Sequence, residues 1–111
     1  SSLTKIGSAA YTVTAPVKSA TPQATHNGGT GYTAAITWEP TAETFAASTA
    51  YTAKVTYSAT SGYAFPADFG AADVTGLPTT SGGGATATSV NVMRESASKV
   101  TATVAYKATG A

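Results

Sequence analysis

Apolar and polar residues alternate along this chain in short runs of period two. Between positions 51 and 58, Tyr51, Ala53, Val55 and Tyr57 alternate with Thr52, Lys54, Thr56 and Ser58. Positions 32–38 repeat the pattern, with Tyr32, Ala34, Ile36 and Trp38 on one side and Thr33, Ala35 and Thr37 on the other. Successive side chains of a strand point to opposite faces, so each run predicts a strand with one face in a core. Thr, which is β-branched, suits the other face. Residues 100–106 carry Val100, Ala102, Val104 and Tyr106 on one face and pair naturally with 87–93 as a closing hairpin.

The remaining segments are punctuated by turn residues. Residues 11–17 alternate briefly and then meet Pro16, which donates no ladder hydrogen bond, so this strand should lie at an edge or switch sheets there. Residues 21–31, with Pro22, Asn27 and three glycines, read as a loop, and 41–49 as a loop that buries Phe45. Ser61-Gly62 turns the chain into a short strand at 63–65, stopped by Pro66. A turn and a strand at 73–75 follow, then a flexible loop at 78–84. Residues 93–99, with Arg94, Glu95 and Lys99, read as a solvated hairpin loop. The result is about six or seven short strands, with no helical period anywhere. That predicts an all-β chain, an antiparallel immunoglobulin-like β-sandwich of about seven strands. Trp38, Ile36, Val55, Val92, Val104 and some tyrosines would fill the space between the sheets.

Composition narrows the function classes. At 111 residues there is room for a single domain, residues 1–111. Thr, Ala, Ser and Gly dominate, and only 10% of residues are charged, against roughly 25% in ordinary domains. A net charge of +1 argues against nucleic acid and against electrostatic capture on an anionic membrane. No apolar run approaches the ~20 residues a spanning helix needs. With 42% hydrophobic residues the chain can build a core. It has no cysteine, hence no disulfide framework or thiolate chemistry. The abrupt ends, SSLTKIG and KATGA, read as those of a domain cut from a longer chain.

Candidate chemistry is sparse. Trp38 is a sugar-stacking platform or a core tryptophan, with the core the simpler reading. Tyr11 and Tyr106 lie near the ends, and the sequence leaves open whether they are exposed on one face, as a carbohydrate site would require. His26 is the only histidine and reads as a solvated loop residue, since one imidazole makes neither a triad nor a zinc site. Asp68 and Asp73 flank a Gly-containing bend and could offer some of the oxygens calcium wants. Glu39 and Glu43 are a conceivable carboxylate pair, better explained as ordinary surface. Gly82-Gly83-Gly84 lacks the Lys-Ser/Thr of a phosphate loop. Thr-x-Thr repeats at 12–14, 86–88 and 101–103 are too irregular for an ice-binding ladder. A Lys–Asn crosslink would have to use Lys5 or Lys18 with Asn27 or Asn91, and no neighbouring acid is evident. No catalytic residue, cofactor or metal is therefore expected. Pro16, Lys54, Lys99 and Lys107 are expected to guard sheet edges, leaving a monomer.

A resemblance adds to this reading. Pro16-Val17, Ala20-Thr21-Pro22, the run 32–40 (YTAAITWEP), 44–49 (TFAAST), 51–56 (YTAKVT) and 62–65 (GYAF) follow one another at a specific spacing. With a looser match at DFGAADVTGLP, they cover about residues 13–76. The pattern resembles an immunoglobulin-like repeat of large secreted and cell-surface bacterial proteins. The resemblance implies a non-catalytic spacer or adhesive module in an extracellular or cell-surface bacterial protein, beside neighbouring domains of the same chain. The alternatives are a module binding polysaccharide or a host surface, and an accessory domain of a phage virion.

Overall fold

The computed structural model describes residues 3–80 and 86–110. Among these residues the fold is all-β, with eight strands and one 3-10 turn at Ala71–Asp73. The strands are β1 (Thr4–Lys5), β2 (Ala9–Ala10), β3 (Tyr32–Glu39), β4 (Thr52–Ala59), β5 (Tyr63–Ala64), β6 (Val74–Thr75), β7 (Ala87–Ser96) and β8 (Lys99–Tyr106). The four long ones form an antiparallel sheet in the order β3-β4-β8-β7. These are the strands that the period-two pattern predicts. Their inner face carries Ile36, Trp38, Ala53, Val55, Tyr57, Val100, Ala102, Val104 and Tyr106, all buried. The outer face is rich in threonine: Thr37 and Thr103 flank Lys54 in one row, and Thr56 lies between Ala35 and Thr101 in the next.

The second layer is not a second antiparallel sheet. It consists of two short parallel pairs, β1 with β5 and β2 with β6, joined by irregular segments. Ile6, Ala9, Tyr11, Phe65, Phe69 and Val74 of this layer are buried with the sheet's inner face, completing a sandwich-like core. Phe45 closes one end, as the loop reading of 41–49 predicts: its ring packs edge-on to Trp38 at 5.1 Å and to Tyr51 at 4.7 Å. The Tyr51 hydroxyl accepts the Ala46 N–H at 2.8 Å and pins that loop.

Residues 11–17 are not a ladder-paired strand, a correction to the sequence reading. The physical reason lies in their hydrogen bonds. The Gln23 amide stands where a neighbouring strand would: its Nε2 donates to Thr12 O at 3.0 Å and its Oε1 accepts Thr14 N–H at 3.0 Å. Just upstream, two tyrosines do the same for Ala10. The Tyr32 hydroxyl accepts Ala10 N–H at 3.0 Å, and the Tyr57 hydroxyl donates to Ala10 O at 2.8 Å. Backbone groups in a buried layer must find partners, and here side chains supply them.

The sheet's edges are β3 and β7. Lys54 and Lys99 sit in the interior strands β4 and β8, and Pro16 and Lys107 lie outside any strand, so none of the four guards an edge as the sequence reading expected. The 93–99 segment is not a loop either: β7 runs on to Ser96, β8 begins at Lys99, and only Ala97 and Ser98 turn the chain. Gly31 precedes β3 at φ +85°, and a Cβ there would meet the Tyr63 ring at 2.3 Å, so both backbone conformation and packing demand glycine.

Replacing Tyr57 by Phe tests the clamp on Ala10. The ring is fully buried and stays, but Ala10 O loses its donor. The expected loss is about 1–3 kcal/mol of unfolding free energy, measured as a lower urea midpoint at unchanged slope.

Candidate functional site

The densest group of polar and aromatic side chains lies under the covering layer. Tyr11, next to β2, meets Tyr106 at the end of β8, and their hydroxyls are 2.5 Å apart. His26 sits beside them, its ring 6.4 Å from Tyr11 and edge-on to Tyr57 at 5.8 Å. Its Nε2 accepts the Thr12 N–H at 3.0 Å, which fixes the tautomer, because a backbone amide can only donate. The proton is therefore on Nδ1, which donates to Asn27 O at 2.8 Å. Both ring nitrogens are occupied by backbone, leaving no lone pair for a metal or a substrate.

Burial pushes the Tyr11 and Tyr57 phenols well above the ordinary tyrosine range. For Tyr11 the hydrogen bond with Tyr106 adds to the effect. Tyr106 is also raised by burial, with that bond acting in the opposite sense. None of the three is poised to act as a base at neutral pH.

A groove of about 300 Å³ opens on the other side of Trp38. It is lined by Ile36, Thr37 and Trp38 of β3, by the 21–24 segment and by the 41–43 segment, which brings Glu43 to it. Trp38 is held by three neighbours: its Nε1–H donates to Gln23 O at 3.0 Å, and its ring contacts Phe45 and, at 6.0 Å, Tyr106. The indole is only 6% exposed, so it is a core residue with an edge at the groove rather than a stacking platform.

The other candidates resolve plainly. Tyr11 and Tyr106 are each 3% exposed, so neither offers the open aromatic face a carbohydrate site would require. They are inside because their hydroxyls satisfy one another there. His26 is buried, not solvated, for the reason already given. Nine of the ten aromatic side chains are buried and Tyr63 is half-buried. Asp73 accepts Gly70 N–H at 3.1 Å and caps the 3-10 turn, while Asp68 is exposed. Among the described residues no group of three His, Asp or Glu side chains could hold a metal. Glu39 and Glu43 are both exposed. Lys5, Lys18, Asn27 and Asn91 are exposed as well, outside the buried setting a crosslink needs. Gly82-Gly83-Gly84 lies outside the described residues. Thr12 and Thr14 are held by His26 and Gln23, Thr88 Oγ1 donates to Ala105 O at 3.1 Å, and the Thr101 hydroxyl donates to Glu95, so the repeats share no common surface.

Sequence reasoning missed Gln23 and Arg94, whose Nε and Nη2 both donate to Phe65 O at 3.2 Å. Nothing in their local pattern marks them, since their partners lie in distant segments. Compared with known proteins, the chain matches no family model, no curated protein and no solved structure.

Two measurements check this centre. His26→Phe keeps a ring against Tyr57 but strips Thr12 N–H of its acceptor, and is expected to cost about 1–3 kcal/mol in urea unfolding. His26→Gln, whose carbonyl can accept, should recover part of that loss. The phenols give a pH signature. A pKa raised on folding contributes stability that is present below the unfolded value, about 10, and is lost as pH rises above it. Each of Tyr11, Tyr57 and Tyr106 should therefore lower stability by up to about 1.4 kcal/mol per pH unit above about pH 10. Their phenolate absorbance near 295 nm should appear only together with unfolding.

Proposed function

We propose that this domain is a non-catalytic structural module, an immunoglobulin-like bead that spaces or presents its neighbours in an extracellular or cell-surface bacterial protein. One observation carries the reading. The side chains best equipped for chemistry or stacking are committed to holding backbone: Tyr32 and Tyr57 hold Ala10, His26 holds Thr12, Arg94 holds Phe65, and Trp38 holds Gln23. Further support comes from Tyr11 and Tyr106, whose contact ties the beginning of the fold to its last strand, as a bead loaded through its ends requires. The bacterial and extracellular setting rests on the resemblance over residues 13–76. A polysaccharide-binding reading through exposed aromatics loses its motivation, since nine of the ten are inside and the tenth is half-buried.

A screen of soluble glycans and cell-wall polysaccharides against the isolated domain tests the proposal, with Trp38 emission as the readout. The expected result is blue-shifted emission that no glycan changes and that is lost cooperatively on unfolding. Saturable glycan binding, or turnover of a glycan or ester abolished by a point change, would overturn it.

A further inference from the structure

The two edges of the main sheet differ. Along β7 the pairing with β8 shifts register twice, between Ala87 and Ser89 and between Arg94 and Ser96. Such bulges twist an edge and spoil it as a template. Along β3 the pairing with β4 is regular for all eight residues, from Tyr32↔Ala59 to Glu39↔Thr52.

The direction of the free backbone groups on β3 follows from its ends. Tyr32 exchanges N–H and C=O with Gly29, on the side away from β4. Gly31 O instead accepts from Thr60 N–H, on the β4 side. Backbone groups alternate sides along a strand. Those of Ala34, Ile36 and Trp38 therefore face outward with Tyr32's, while those of Thr33, Ala35, Thr37 and Glu39 serve the ladder. Among the described residues, the backbone bonds outside the strand ladders satisfy Tyr32 and none of these other three.

This open edge coincides with the groove beside Trp38, where Ile36, Thr37 and Trp38 meet the 21–24 and 41–43 segments. The flanking segments leave a groove of about 300 Å³ beside the strand, enough to take an apolar side chain of a segment laid along β3. Its lining includes Glu43 and no Lys or Arg, and the exposed Glu39 ends β3 beside it.

We propose that β3 is a docking edge for an extended polypeptide segment of a partner, which adds antiparallel as a fifth strand. The backbone of Ala34, Ile36 and Trp38 forms the new ladder, an alternate apolar side chain of the segment enters the groove, and a cation at its N-terminal end meets Glu39 and Glu43. Main-chain bonds would supply affinity, and the groove and carboxylates selectivity. This goes beyond the structural role proposed above and does not depend on it.

The test uses a synthetic eight-residue peptide, an N-terminal lysine followed by alternating threonine and valine, titrated into the isotopically labelled domain. The expected result is saturable amide shifts centred on Ala34, Ile36 and Trp38. N-methylation of the alternate residues that face β3 should weaken binding at least tenfold, and methylation of the other set should leave it within about twofold. Ala34→Pro removes an outward N–H without touching the β4 ladder, and should also weaken binding at least tenfold. If that variant fails to fold, the methylation pair decides alone. No saturable shift at millimolar peptide, shifts mapping to β7, or equal response to both methylation sets overturns the proposal. So does saturation of the groove by a polysaccharide while the peptide leaves these amides unmoved.

Discussion

The covering layer must satisfy its backbone with only two short parallel pairs, and the rest of the structure is arranged around that constraint. A buried amide or carbonyl left without a partner costs on the order of 1–3 kcal/mol. A conventional sandwich meets this demand with a second ladder. Here the ladder is four residues long in all on the N-terminal side, two each from β1 and β2. Beyond it, Tyr32, Tyr57, Gln23 and His26 reach from elsewhere to complete Ala10, Thr12 and Thr14. Among the described residues no buried side-chain nitrogen or oxygen lacks a partner, so the arrangement closes from both sides.

This explains an otherwise odd division of labour. The sheet is made of small and β-branched residues, with Ala53, Val55, Val100, Ala102 and Val104 wholly buried. Such a surface packs closely and leaves room for large rings from the other layer. Tyrosine is well suited to the gap, since its ring fills volume while its hydroxyl reaches backbone on the far side. The scarcity of charge fits the same economy: the one ion pair among the described residues, Lys99 with Glu95, is on the surface, where it is worth little.

The legibility of the fold divides along the same line. The four strands of the main sheet announce themselves by alternation because one face is buried and the other wet, as at positions 51–58. The resulting edges were harder to see, since nothing in the sequence says that β8 lies between β4 and β7. β1 and β2 are two residues each, too short to show a period, so the burial of Ile6 and Ala9 left no mark. His26 and Gln23 were illegible for a deeper reason. Each sits in a loop of Gly, Thr and Asn typical of solvated turns, and acquires its role only when residue 12 arrives beside it. The groove likewise exists only because two loops 20 residues apart in sequence converge on one strand.

The position of β8 has a consequence for how the protein is made. It is the last strand of the fold, yet it lies inside the sheet, hydrogen-bonded to β4 on one side and β7 on the other. Its Tyr106 also completes Tyr11, 95 residues earlier. A nascent chain emerging from the ribosome can therefore form the β3–β4 hairpin, but no larger native sheet, until β8 has cleared the exit tunnel. The segments before it must wait, with their apolar faces uncovered, until residues 99–106 are free to pair. Folding is then an event that follows synthesis of the domain instead of accompanying it.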